Sequence, residues 1–346
     1  MATTDFDRLL ERAGEDGFSR EAALDLLRRS REPALALRLF QTAAAVRDRV
    51  IGPDLWWSAG IGAVTPCRIE PRCTYCVAFT IRSFPREDLV AAVKAVAATG
   101  ARYFHMVGGS RLDGYDDEMA DLVEAARDAS DMGIEVNLGP SFSREGVRRL
   151  KRLGVRGMTC SLESFNPEVF ARAKPGDSLE ARKRLVGICQ DEGMPLRTMI
   201  LNGLGESEAD FIDHLYWVRD HTCIRRISFS RFQPHTGTVW TDHPRCSPWE
   251  VARRVAVARL LMPDRCLGLA AGNTLDDIPL WYAAGGGNQV LAVTVSLSQS
   301  NVKAQPGEDV VPVTERISLV SKVRQIGHVV GSLGRRIGAE PPPLPQ

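Results

Sequence analysis

The chain has 346 residues, 44% of them hydrophobic and 25% charged, which suits a globular protein of one large domain or two ordinary ones. Its 44 basic residues balance 43 acidic ones for a formal charge of +1, which excludes a broad nucleic-acid surface built on surplus Lys and Arg. The N-terminus has no basic stretch leading into an apolar run, and no window reaches the ~18–20 uninterrupted apolar residues of a membrane span, so a cytoplasmic, membrane-free chain is expected.

In chain order, residues 20–50 read as helix, with apolar positions at Ala23, Leu24, Leu27, Leu35 and Leu39. Residues 61–65 are the first expected strand and run straight into Cys67. A helix follows Pro85, then a strand over 103–107, a helix over 119–132, a strand over 134–138, a helix over 143–153 and a strand over 157–162. Helices near Pro167 and over 179–192 come next, then a strand over 196–201, a helix over 208–219 and a strand over 226–232. A helix over 248–261 precedes strands at 266–270 and 289–295, with 275–283 between them.

These are eight strand–helix steps over about residues 60–296, and strands alternating with helices imply a parallel sheet. Eight such units in ~250 residues suit a closed (β/α)8 TIM-type barrel, an α/β fold, with a doubly wound open sheet as the alternative. The expected division is an N-terminal helical segment packing on the barrel over 1–58, the barrel over 59–296, a C-terminal extension over 297–336 and a disordered tail over 337–346. In the extension, 298–311 is polar and loop-like, and 314–333 reads as an amphipathic helix with Leu319, Val323, Ile326 and Val330 on one face. Pro341, Pro342, Pro343 and Pro345 rule out a helix in the tail.

Three of the eight cysteines, Cys67, Cys73 and Cys76, fall within ten residues on the loop after the first strand. In barrels of this type that is the end where active sites form. Pro66 and Pro71 stiffen the loop and help aim three thiolates at one point. In a reducing cytoplasm such a cluster reads as a metal site before it reads as disulfides. A closed zinc site takes four protein ligands, and an ordinary electron-transfer [4Fe–4S] cluster takes four thiolates. No fourth Cys or His lies nearby, the next His being His105. Three thiolates on a [4Fe–4S] cube leave one iron open to a substrate or cosubstrate. A zinc site completed by a distant ligand is the alternative. Cys160, Cys189, Cys223, Cys246 and Cys266 are scattered and read as small buried hydrophobes.

At these residues the chain resembles the radical S-adenosylmethionine (radical SAM) superfamily. Its usual signature is Cys-x3-Cys-x2-Cys with an aromatic just before the last cysteine, the place held here by Tyr75. Five residues separate Cys67 from Cys73, a wider spacing that looks like HmdB, the enzyme linked to building the iron–guanylylpyridinol cofactor of [Fe]-hydrogenase. Later segments are similar to the branch of biotin synthase, HydE, PylB and HmdB. Met106-Val107-Gly108-Gly109 matches a Gly-Gly-Glu turn near the methionyl amine of SAM, with Ser110 in place of the Glu. Ser161-Leu162-Glu163-Ser164-Phe165-Asn166-Pro167 looks like the fourth-strand motif whose Glu contacts SAM. Ser178-Leu179-Glu180-Ala181-Arg182 looks like the motif whose Arg reaches the SAM carboxylate. Asn202-Gly203-Leu204-Gly205-Glu206 resembles the glycine-rich turn after the fifth strand, and Phe232-Gln233-Pro234-His235-Thr236-Gly237-Thr238 the end of the sixth.

The resemblance covers about residues 20–330. It implies a [4Fe–4S] cluster on Cys67, Cys73 and Cys76 as the catalytic and metal-binding set. It implies SAM contacts from Tyr75, Gly108, Gly109, Ser110, Glu163, Arg182 and Asn202. The reaction implied is one-electron cleavage of S-adenosyl-L-methionine to methionine and a 5′-deoxyadenosyl radical, which takes hydrogen from a small-molecule precursor. A low-potential donor such as ferredoxin or flavodoxin would supply the electron. Cofactor biosynthesis is the expected setting, with a secondary-metabolite pathway or a non-catalytic iron–sulfur scaffold as alternatives.

The residues carry their own argument. Gly108 and Gly109 follow an apolar strand and let a ligand approach the backbone, or serve as a plain strand–helix turn. Strand alternation puts Glu163 on the face of Ser161 and Thr159, a polar face that suits a ligand cavity; a surface Glu at a strand end is the alternative. Arg182 reads equally as solvated, among Arg172, Lys174, Lys183 and Arg184. By the same alternation Cys160 faces away, and strands 103–107, 134–138 and 196–201 hold no cysteine. No second cluster is therefore expected, and rearrangement, methyl-group or fragmentation chemistry is favoured over sulfur insertion. His105, Asn137, Ser141, Arg197, Asn202, Arg231, His235 and Asn273 lie at strand ends as candidate substrate contacts or ordinary turn caps.

Overall fold

The computed structural model describes residues 5–13, 18–77, 83, 85–270, 272–297 and 307–339. Helices α1 (Asp5–Arg12), α2 (Arg20–Arg29) and α3 (Pro33–Val50) precede the first strand. Eight strands follow: β1 (Leu55–Ile61), β2 (Tyr103–Val107), β3 (Gly133–Asn137), β4 (Val155–Thr159), β5 (Leu196–Asn202), β6 (Ile224–Arg231), β7 (Cys266–Leu269) and β8 (Gln289–Leu297). Helices α4 (Arg86–Ala98), α5 (Asp116–Ala129), α6 (Arg144–Arg152), α7 (Pro167–Ala173), α8 (Leu179–Asp191), α9 (Glu208–Asp220), α10 (Pro248–Leu261) and α11 (Ile278–Ala283) connect them. The strands neighbour one another in chain order and all run parallel. β1 also pairs with β8, Trp56 opposite Gln289 and Ile61 opposite Val295, which closes the sheet into a (β/α)8 barrel.

The helix starts are written into the sequence. Ser143, Asn166, Ser178, Ser207 and Ser247 each accept a backbone N–H in the first turn of α6, α7, α8, α9 and α10. Charge within α10 has a structural purpose. Arg259 is fully buried and donates to the carbonyls of Gly285, Pro263 and Arg265. Arg253 reaches Ser30 on the N-terminal helices, and Arg254 reaches Asn202 at the end of β5. Among the described residues no helix is long and apolar enough to cross a membrane.

Several expected elements differ. The helix expected over 20–50 is two helices, because Pro33 opens α3 and Ser30 closes α2. The first strand lies at Leu55–Ile61, ahead of 61–65: all seven of its residues are buried, and Ala63 at φ +59 ends the extended run. β4 ends at Thr159 rather than at 162. Its pairing to β5 nevertheless continues through Cys160 N–H to the Arg197 carbonyl and Glu163 N–H to the Met199 carbonyl, both at 3.0 Å.

The largest difference is C-terminal. The helix expected over 314–333 is a strand, β10 (Ile317–Ser321), followed by a shorter helix, α12 (Val323–Ser332). β10 runs antiparallel to β8 and to β9 (Asp309–Pro312), which falls where part of the polar loop was expected. Ile317, Leu319 and Val320 are buried, so pairing along β8 outweighs the helical spacing of the same apolar residues. Ile337 and Gly338, expected in a disordered tail, form β11 (Ile337–Gly338) beside Leu55 and Trp56. The proline-rich stretch 341–345 lies outside the described residues.

Candidate active site

The cysteine loop is fixed from three sides. From β2, Gly109 N–H donates to the Thr65 carbonyl at 2.9 Å, and Arg68 N–H donates to the Ser110 carbonyl at 2.8 Å. From α7, the Ala173 carbonyl accepts Thr74 N–H at 2.9 Å. From the segment after β6, Trp240 Nε1–H donates to Thr74 Oγ1 at 2.7 Å. Beneath the loop lies a small core of Val169, Ala173, Leu201, Leu204, Phe232 and Trp240, against which Tyr75 packs. Tyr75 meets the edge of Phe232 with ring centroids 5.9 Å apart.

Glycine is required at the contacts. A Cβ on Gly109 would lie 2.1 Å from Cys67 N, and one on Gly108 would lie 2.1 Å from Thr65 Oγ1. These glycines therefore admit the cysteine loop itself to the end of β2, which is more than a turn demands. Gly176 does the same on the other flank, where a Cβ would sit 2.3 Å from the Pro71 carbonyl oxygen.

Cys67, Cys73 and Cys76 line one cavity of about 730 Å³ at the C-terminal end of the barrel, together with Tyr75, Gly108, Gly109, Ser110, Glu163 and Arg182. Among the described residues no three Cys, His, Asp or Glu side chains are grouped as they would be around a single metal ion. Each thiolate of a cubane takes a different iron, so its ligands need not converge on one point. Burial pushes the Cys73 thiol up to about 11, against the pull of Lys174. A metal that coordinates this sulfur takes it as thiolate whatever its proton affinity in the free protein.

Glu163 stands at φ +65, a left-handed conformation that is rare outside glycine and is sustained here by the bridge to Ile200. Its carboxylate accepts from the Tyr75 hydroxyl and, at 2.9 Å, from Lys174 Nζ. Lys174 also lies 3.5 Å from Asp177, which pairs with Arg182. Arg182 is buried and donates to the Ser161 carbonyl as well, which excludes the solvated placement. Burial and Arg182 both work against charge on Lys174, but Glu163, Cys73 and Asp177 outweigh them and its pKa is raised. Burial alone would raise the Asp177 carboxyl; the charge and hydrogen bonds of Arg182 hold it below the usual range. Two cations and two anions thus form a neutral, hydrogen-bonded wall beside the cysteines. Lys174 and Asp177 were not singled out from the sequence, because the turn that carries them lies between two motifs and meets Glu163 only in space.

Of the candidate substrate contacts, His105, Asn137, Arg197, Arg231 and His235 line the cavity. Ser141, Asn202 and Asn273 are not among its lining residues. Ser141 accepts Arg111 N–H and donates to the Leu138 carbonyl, and Asn273 caps the Phe229 and Ala270 carbonyls. Asn202, expected at SAM, is fully buried between Arg254 and the Ile200 and Ser230 carbonyls. Its polar atoms are spent on the barrel rim. None of the other five cysteines lines the cavity; all are buried.

The closed parallel barrel thus carries three thiols and a charged wall at its C-terminal mouth, the end at which barrels of this type place their active sites. The radical SAM superfamily model matches residues 70–218. An uncharacterised protein of Methanocaldococcus jannaschii is 27% identical over 277 residues, 77% of this chain and 73% of that protein. The biotin synthase of Parafrankia sp. is 30% identical over 237 residues, 66% of this chain and 63% of that enzyme, so the match spans less than two thirds of its length. Methylornithine synthase (PylB) superposes with a TM-score of 0.75 at 16% identity, covering 95% of this chain and 97% of that one, which speaks for the fold. These matches make the chain similar to the radical SAM superfamily and to biotin synthase, and in fold to PylB. Members of that superfamily use a [4Fe–4S] cluster and S-adenosylmethionine.

Proposed function

We propose that Cys67, Cys73 and Cys76 hold the [4Fe–4S] cluster, and that SAM lies across Tyr75, Gly108, Gly109, Ser110, Glu163 and Arg182. The observation that carries this reading is the placement of all nine residues around one cavity, beside a loop for which Gly108 and Gly109 make room. The soft thiol set fits an iron–sulfur group. A bound cluster supplies the electron with which the family divides SAM into methionine and a 5′-deoxyadenosyl radical. The chain's own contribution is to position and to exclude water. Arg182, held by Asp177 and the Ser161 carbonyl, presents a fixed cation for the SAM carboxylate. Glu163, held by Tyr75 and Lys174, offers acceptor oxygens to the aminoacyl end. Ser110 brings a neutral hydroxyl where the usual motif brings a carboxylate.

The substrate is a small molecule and the setting cofactor assembly of the HmdB type, a reading that rests on the spacing of Cys67 and Cys73. Absence of further cysteines from the described cavity wall favours rearrangement, methyl-group or fragmentation chemistry over sulfur insertion. Ferredoxin or flavodoxin suits as reductant.

The test is anaerobic reconstitution with iron and sulfide, reduction, addition of SAM and assay of 5′-deoxyadenosine, with Cys76→Ala as control. Production by the parent and loss in the variant are expected. An iron-loaded protein whose reduced EPR signal ignores SAM would overturn the assignment.

A further inference from the structure

The charges that line the cavity fall into neutral sets with one exception. Lys174 and Arg182 answer Glu163 and Asp177, and Arg231 closes on Asp277 at 2.8 Å. Arg197 does not balance. It shares a single carboxylate, Glu135, with Arg226. Two guanidinium groups on one carboxylate leave one positive charge over. His105, which neighbours both, is kept neutral, because burial pushes its pKa down to about 4. A surplus charge inside a barrel is destabilising unless something pairs with it.

A second observation lies at the same place. The outer nitrogen Nη2 of Arg197 donates to Gln289 Oε1, and Gln289 is itself fixed by donating to Ser58 Oγ at 2.6 Å. The inner nitrogen, Nε, is buried and has no partner, and neither has the buried hydroxyl of Thr159. Thr159 and Arg197 stand directly opposite one another in the β4–β5 register, and both line the cavity. Neighbouring strands are ~4.8 Å apart, so the two residues that carry a hydroxyl and a guanidinium N–H without acceptors stand on backbones one strand spacing apart. Asn137, opposite Thr159 on β3, lines the cavity beside them.

We propose that this pair is a carboxylate seat: the substrate carries a carboxylate whose two oxygens accept Thr159 O–H and Arg197 Nε–H. One surplus charge matches a monoanion, and two donors match two oxygens on one carbon. Arg197 is the second residue of β5, four residues before Leu201. At ~3.3 Å per residue the seat lies about 13 Å along the strand from Leu201, which packs under the cysteine loop. The acid group therefore occupies the end of the substrate remote from the reacting carbon. That last point rests on the radical SAM reading; the seat itself rests on the chain's own charges and orphan donors.

The test uses full-length protein without its cluster. Hexanoate, hexanol and methyl phosphate are titrated calorimetrically into the parent, Arg197→Gln and Thr159→Val. Hexanoate binding is expected in the parent and hexanol binding is not. Arg197→Gln is expected to weaken hexanoate at least tenfold. Thr159→Val is expected to weaken it several-fold while raising the melting temperature of the free protein, because it removes a buried hydroxyl that has no partner. That opposed pair of changes separates a binding role from a packing role. Equal binding of hexanol, a preference for methyl phosphate, or hexanoate binding that ignores both substitutions would overturn the seat. Hexanoate binding that obeys them, in a protein that yields no 5′-deoxyadenosine once loaded, would leave the seat standing and remove the radical SAM assignment alone.

Discussion

At the scale of single residues the site depends on what is missing from two glycines. Gly109→Ala would drive a methyl group into the backbone of Cys67. The expected outcome is a loss of about 1–3 kcal/mol in stability, with less iron bound per chain after reconstitution. Gly187, inside α8, has no atom within 4 Å of its missing Cβ. Gly187→Ala is therefore expected to stabilise by about 0.5–1 kcal/mol and to leave iron content unchanged. Urea denaturation and iron assay on the two variants make the comparison. Much at this scale was legible in the sequence: the thiols, Tyr75, Glu163 and Arg182 stand in motifs and face one cavity. For Asn202 the sequence leaves both roles open, because a polar residue at a strand end serves the rim and a ligand equally well; its hydrogen bonds go to Arg254 and the β6 backbone.

At the scale of elements, Asp177 on the α7–α8 turn pairs with Arg182 on α8, with side chains 1% and 4% exposed. Asp177→Ala leaves Arg182 buried without its partner and is expected to destabilise by about 3–5 kcal/mol. Replacing both residues by apolar ones should recover much of that loss while abolishing the SAM-induced EPR change. Deeper in the barrel, Glu135 joins β3 to β5 and β6 through Arg197 and Arg226. Burial alone would raise its pKa; Arg226, Arg197 and His105 bring it from 4.5 down to about 2. A depressed carboxylate contributes stability above its unfolded pKa and loses it as pH falls through the folded one. The contribution is about 3 kcal/mol, present above pH ~4.5 and gone below ~2. Glu135→Gln is expected to be less stable at pH 7 and flatter across that acid window, as thermal melts from pH 7 to 2 would show. The elements themselves were readable where one period dominated, as in β2, whose span matches expectation. They were not readable at 314–333, where the same apolar residues fit a helix face and a half-buried strand, and the neighbouring β8 edge decided for the strand.

At the scale of the whole molecule, the barrel closes through β1 and β8, and the cysteine loop leaves the end of β1. A cluster bound there would sit on a loop that β2, α7 and the segment after β6 hold by hydrogen bonds, and would favour the state in which those bonds are made. Ligand bound only to the folded state stabilises by mass action. The loaded protein is expected to melt higher than the cluster-free one, and chelation of iron should return it to the lower value; scanning calorimetry under nitrogen would show both. Fold class was legible here because eight strand–helix repeats admit few closures. The β11 strand was not, since two residues carry no periodicity and pair only because Leu55 and Trp56 lie beside them.

The hydrogen bond from Trp240 to Thr74 spans 166 residues of chain. During synthesis at roughly 5–20 residues per second, Thr74 waits about 8–33 s for that partner, and β8, which shuts the barrel, is later still. For that interval three thiols stand on a loop that lacks its anchor from the segment after β6. Iron delivered too early meets a loop still short of one anchor and a barrel still open, whereas iron delivered after release meets a finished socket. Loading of this chain is therefore a matter of timing, and its natural place is after translation. A stalled nascent chain ending before residue 240 should be alkylated at Cys73 faster than the released protein.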